Sequence, residues 1–230
     1  MLLSATLGSL LSGVSVPGHL RHPARLVTAG PQPLTRNLPG VEIVCSAASL
    51  DAPELARWVV RHRQSVSAVG GSELDAALAA GVQPASIGVH CDDLTDNQIR
   101  WAASIGVGRL VVSSRHQADL VSSVRERGPL NVWLQSGTGF AVVRGRPSLR
   151  LAGLDARYDG RDYAALVDDL MAELAEIRRE SGVIVGHLGI SGVHTDSDAV
   201  WAIDDAVTDG CIRYRVPRPQ LLLCGGLLIA

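Results

Sequence analysis

Eight short apolar runs, separated along residues 41–230 by mostly helical stretches, constrain this chain more than any other feature. The runs are VEIVCS (41–46), SVSAVG (65–70), SIGVHC (86–91), RLVVSS (109–114), LNVWLQ (130–135), LRLAGL (149–154), VIVGHL (183–188) and QLLLCG (220–225). Each is too continuously apolar for a strand with one face in water and fits a parallel strand covered on both faces. Amphipathic segments lie between most of them. ELARWVVRH follows Pro53, a residue suited to a helix start, and SELDAALAAG runs from Ser72, a candidate N-cap, to Gly81, a candidate stop. LTDNQIRWAASIG, HQADLVSSVRERG, DYAALVDDLMAELAEIRRESG and TDSDAVWAIDDAVTDG continue the pattern. Parallel strands joined by right-handed helical crossovers predict a lean (β/α)8 TIM-type barrel over residues 41–230. Between the fifth and sixth runs only SGTGFAVVRGRPS intervenes, too little for a full helix. An open doubly wound sheet, which tolerates such a gap more easily, is the alternative. Residues 1–40 are rich in Gly, Pro, Ser and Leu without a sustained period, and read as an N-terminal arm, poorly structured or a single helix.

A hydrophobic fraction of 47% with 19% charged residues is that of a folded chain with a core. A net charge of −2 and 3% aromatic residues supply neither a basic stripe nor a stacking platform, so nucleic acid is not an expected partner. No apolar run reaches the length of a membrane span, and the first residues lack the charged start and cleavage site of a secretory signal. Cys45, Cys91, Cys211 and Cys224 form no C-x-x-C pair and read as free thiols. The expected setting is cytoplasmic.

All 21 basic residues are arginines. A chain of this length would ordinarily carry roughly 10–15 lysines. Whatever the origin of the depletion, no side-chain amine is available to form an imine.

Several segments together carry a resemblance. ELARWV, GGSELDAALAAGV, SIGVHCDDLT and GVGRLVVSS, then LRLAGLDARYDG, the long helix and VIVGHLGISG, follow one another in the order of a known barrel. The chain resembles the barrel domain of the fold type III pyridoxal-phosphate (PLP) decarboxylases, the alanine racemase-like family that includes diaminopimelate decarboxylase. That resemblance implies a cofactor site at the C-terminal mouth of the barrel. It also implies particular residues there. The first strand of the family ends Y-A-x-K-A, its lysine forming the internal aldimine; Ser46 takes the lysine position. The sixth ends H-x-H-x-G-S; Asp155-Ala156-Arg157-Tyr158-Asp159-Gly160 places Arg157 at the second histidine. The seventh leads into a three-glycine phosphate loop, of which Gly189-Ile190-Ser191 keeps one glycine. The eighth ends E-P-G-R; Cys224-Gly225-Gly226-Leu227 keeps a glycine and neither charge. The family's separate β domain, which completes the site across a dimer, is not expected within these residues.

Set beside the resemblance, single residues carry little chemistry. Ser46 lacks a G-x-S-x-G elbow. Cys91, Asp92, Asp93, Asp155 and His187 have no ligand spacing, so no metal is expected, and the Asp pair reads as the dressing of a helix start. His187, at the end of the seventh run, is either a hydrogen-bonded structural residue or a catalytic one. Arg157 is either paired with Asp155 or Asp159 or free to hold an anion. The bare backbone of Gly189, Gly225 and Gly226 would then assist it. Covalent PLP is excluded by the absence of lysine, while non-covalent PLP or another small anion is not. The sequence therefore leads to a non-catalytic or catalytically altered relative of these decarboxylases, binding a small anionic metabolite or a partner protein. A decarboxylase- or racemase-like lyase with replaced active-site chemistry is the alternative. A cluster of Ser46, Cys91, His187 and Cys224 at an open mouth would favour the enzyme, and a mouth plugged by Ile190 and Leu227 would favour the non-catalytic role.

Overall fold

The computed structural model describes residues 38–124 and 128–225. Eight parallel strands close into a barrel in sequence order: β1 (Val41–Ser46), β2 (Val66–Ala68), β3 (Ile87–His90), β4 (Arg109–Val112), β5 (Leu130–Gln135), β6 (Leu149–Arg157), β7 (His187–Ser191) and β8 (Gln220–Cys224). Closure is made by β8 against β1, with Val41 opposite Leu221 and Val44 opposite Cys224. The helices are α1 (Pro53–His62), α2 (Gly70–Ala79), α3 (Asp96–Ser104), α4 (Arg115–Ser122), α5 (Tyr163–Ser181) and α6 (Ser197–Tyr214). The (β/α)8 expectation holds, and the open sheet is ruled out by the β1–β8 pairing. The short fifth crossover contains a single 3-10 turn, Phe140–Val142, where a full helix would otherwise stand.

Local sequence sets the helix ends. Thr95 accepts from the Gln98 backbone while Gln98 reaches back to Thr95, a capping box that starts α3. Ser114, Asp162 and Asp196 cap α4, α5 and α6 with their side-chain oxygens. Gly182, at φ 73°, ends α5 in the left-handed conformation that glycine adopts without strain.

Side chains alternate across each strand, so every strand feeds two layers. Ile43, Cys45, Val89, Leu110, Val112, Leu134, Leu154, Leu188, Ile190 and Leu221 belong to the large core that packs strands against helices. Val44, Val111, Trp133 and Leu222 form a second cluster, with Ala152 and Cys224 against it. These residues come from strands that are not all neighbours, so they meet on the barrel axis. Trp133 is the bulk of that plug. A Cβ on Gly153 would lie 2.5 Å from its ring, and one on Gly189 would lie 2.3 Å from Asp155 Oδ2. Two glycines therefore make room for one tryptophan and one carboxylate.

Two strand positions differ from the sequence reading. β7 starts at His187, four residues after the apolar run begins, and runs to Ser191, three residues past its end, because residues 182–186 lead out of α5 and leave Ile184 58% exposed. β6 continues three residues past Leu154, which draws Asp155 and Arg157 into the sheet. Residues 1–37 of the expected arm lie outside the described residues. Leu38 already packs on the core, and the Gly40 carbonyl accepts from the Leu221 amide beside the base of β1. No helix among the described residues is long and apolar enough to cross a membrane.

Candidate ligand site at the barrel mouth

The C-terminal strand ends place polar residues at inward positions above the Trp133 plug. His90 closes β3, Gln135 closes β5, and Asp155 stands on β6. His90 Nδ1 lies 3.3 Å from Gln135 Oε1, and His90 Nε2 lies 3.3 Å from Asp155 Oδ1. The His90 and Asp155 side chains are only 6% and 7% exposed. Their approach is that of an ion pair, yet Oδ1 receives no aligned hydrogen bond. Burial raises the Asp155 carboxyl above its ordinary range, while His90, Arg109 and Arg157 and the Ser191 hydroxyl pull it back. Burial is the stronger influence, so this group holds a proton more tightly than an exposed aspartate.

Above this pair lies the rim. Asp92, in the 3-10 turn Cys91–Asp93 that follows β3, accepts from the Ser113 hydroxyl and, at 2.7 Å, from Gln117 Nε2. Partial burial opposes its ionisation, but those hydrogen bonds and the Arg157 charge hold its carboxyl below the usual range. Arg157 Nη2 donates to Asp93 Oδ2 at 2.5 Å. The sequence offered Asp155 or Asp159 as its partner, and that expectation is corrected. Asp155 is buried inside the barrel with His90, and Asp159 lies beyond the strand, 3.4 Å from Arg161.

The other candidates separate. Ser46 ends β1 half-buried; its carbonyl accepts from Ser49 Oγ at 2.6 Å, and its own hydroxyl has no hydrogen-bond partner among the described residues. Cys224 ends β8 with its thiol raised by burial, although the Ser67 hydroxyl favours the thiolate. His187 is not at the mouth. It begins β7 at the opposite end, where Nδ1 meets the Ala152 carbonyl at 3.1 Å and the ring packs on Trp133. Gly189 stands in mid-strand beside Asp155, not in a loop. Gly225 is pressed onto the chain after β7, where a Cβ would lie 1.9 Å from the Val193 carbonyl. The Gly192 and Val193 amides, which follow β7 where the family's phosphate loop stands, both donate to the Cys224 carbonyl. Gly226 and Leu227 lie outside the described residues. Cys91 is buried, its thiol pushed up to about 12, and Ile190 faces the helices. The grouping of Ser46, Cys91, His187 and Cys224 therefore does not form, and Ile190 does not plug the mouth.

Sequence reading passed over His90 and Gln135. The signal was present: each is a polar residue that ends a strand directly after buried apolar residues, Val89 before His90 and Val132 to Leu134 before Gln135. Among the described residues no group of three or more His, Cys, Asp or Glu side chains is arranged to hold a metal ion.

No family model matches the chain. Diaminopimelate decarboxylase of Mycobacterium bovis is 24% identical over a 243-residue alignment that covers 83% of this chain and 54% of that protein. The chain thus spans about half the length of the curated relatives it matches. Diaminopimelate decarboxylase from M. jannaschii, solved with L-lysine, superposes with a TM-score of 0.64 at 14% identity, over 81% of this chain and 53% of that one. The arginine decarboxylase of Paramecium bursaria Chlorella virus superposes with a TM-score of 0.69 at 15% identity, over 86% of this chain and 61% of its own. The chain is homologous to diaminopimelate decarboxylase, and its closed eight-stranded barrel is that of the fold type III PLP-dependent decarboxylases.

Proposed function

We propose that this barrel is a relative of the PLP-dependent amino-acid decarboxylases that has given up lysine-linked cofactor chemistry and binds a small anionic metabolite at its mouth without transforming it. The observation that carries this reading is the set of strand ends. β1 presents the Ser46 hydroxyl where an imine needs an amine, and the described end of β8 presents a protonated Cys224 thiol and no carboxylate. The amides after β7 are already bonded to the Cys224 carbonyl. These residues do not fit a covalently held pyridoxal phosphate. What remains for an anion is Arg157, whose side chain is 49% exposed. A phosphate or carboxylate would take the place of Asp93 on its planar fork, a cheap exchange because half-exposed ion pairs are worth about 0–1 kcal/mol. Calorimetric titration of inorganic phosphate and PLP into wild type and Arg157→Ala tests this. Binding to wild type that falls about tenfold or more in the variant supports the reading. Equal binding by both, or none by either at millimolar ligand, removes it.

One observation favours a second reading, a lyase with replaced chemistry. A buried carboxyl whose pKa burial raises, 3.3 Å from an imidazole, is the kind of pair used for general acid–base work. Release of carbon dioxide from any of a panel of amino acids, lost in His90→Gln, would favour it over the binding role.

A further inference from the structure

At the end of the barrel opposite the mouth, the strand beginnings enclose a half-open cavity of about 250 Å3 beneath the Trp133 plug. That is room for roughly eight water molecules, or one small organic acid. Glu42, Arg109, Asn131, His187 and Gln220 line it. Arg109 decides what the cavity can hold. Its side chain occupies the space that Gly88 leaves: a Cβ there would lie 2.4 Å from the guanidinium. The group lies over the Trp133 ring, 5.4 Å from its centroid. Among the described residues it has no ion-pair partner and none of its N–H groups donates a hydrogen bond. A guanidinium stays charged at any physiological pH and presents five donors, so a half-buried one without an acceptor is ready for a ligand that brings its own.

The neighbours narrow the choice. Asn131 Oδ1 is taken by Arg150 Nε at 2.8 Å, which leaves its amide N–H2 to donate. His187 meets the Ala152 carbonyl through Nδ1, so the proton sits there and Nε2 is left as an acceptor. Glu42, three strands round the barrel from Arg109, shares a 3.5 Å contact with Gln220 and offers a carboxylate on the far side. One side of the cavity donates to an anion, and the other accepts from a donor.

We propose that this basal cavity is a second ligand site, which takes a small carboxylic acid with its carboxylate forked on Arg109. Glu42 would receive an ammonium where the acid is an amino acid. The test is calorimetric titration of acetate and L-alanine into wild type, Arg109→Gln and Ala152→Leu. Ala152 also lines the cavity. Leucine there fills the space while leaving the guanidinium in place, so this variant decides the matter if Arg109→Gln does not fold. Saturable binding of either probe to wild type is expected, weakened about tenfold or more in each variant that folds. Tighter binding of alanine assigns the site to amino acids, and tighter binding of acetate assigns it to simple acids. No saturable binding to wild type at millimolar probe, or equal binding by wild type and the folded variants, overturns the proposal.

Discussion

Arg157, at the end of β6, and Asp93, after β3, meet at 2.5 Å over the barrel mouth, joining strands three places apart in the ring. Their side chains are 49% and 28% exposed, so the contact is solvated and easily exchanged. It occupies the one arginine that the sequence reserves for an anion at the mouth.

Asp93→Ala should therefore raise the affinity of inorganic phosphate at the mouth by roughly two- to fivefold, the equivalent of a half-exposed ion pair. Calorimetry at low ionic strength measures it, and unchanged or weaker binding would show that Asp93 does not compete for Arg157.

Asp155 should make stability depend on pH in an unusual direction. Its folded-state pKa is raised above the ordinary 3.8 by burial. Such a group adds stability below the ordinary value and loses that contribution as pH rises through the folded-state pKa. Asp155→Asn cannot ionise, so it should gain on wild type as pH climbs above about 4. Urea unfolding of both proteins from pH 4 to 8 reads the difference; a gap that stays constant or narrows with rising pH contradicts the assignment.

Much of this was legible in the sequence, and the misplacements have physical reasons. The eight runs marked eight strands because a buried parallel sheet needs apolar residues on its outward positions, and Leu188, Ile190, Leu221 and Leu223 supply them. The inward positions are less regular. His187, Gly189 and Ser191 carry no apolar signal, so the apolar run Val183–Leu188 predicts a seventh strand that starts four residues early and sets His187 at the wrong end. At about 3.3 Å per residue, that shift carries a side chain from mouth to base. Asp155 was missed as an interior residue for the same reason: its space comes from Gly189 on the next strand, a relation that no local pattern reveals.

The glycines that admit Trp133 and Asp155 should be intolerant of a single methyl group. Gly153→Ala drives a Cβ to 2.5 Å from the Trp133 ring, and overpacking of this kind costs about 1–3 kcal/mol. Gly186, with nothing within 4 Å of its would-be Cβ, should accept alanine within about 0.5 kcal/mol. Denaturant unfolding compares the two; equal effects would contradict the packing described for the barrel axis.

The four cysteines should be recovered as thiols, with unequal reactivity. Burial pushes the Cys45 and Cys91 thiols up to about 12, so both should resist alkylation in the native protein at pH 8, while Cys211, partly exposed, reacts first. In denaturant without reductant all four should be modified. Mass spectrometry after timed alkylation measures this, and recovery of only two thiols would show a disulfide.

The central claim is that the decarboxylase barrel persists here without a covalent cofactor. It is tested most directly by incubating the purified protein with excess PLP, reducing with borohydride and mapping the peptides. The account predicts no pyridoxyl group on any internal residue. A stoichiometric adduct at a defined position within the barrel would contradict it.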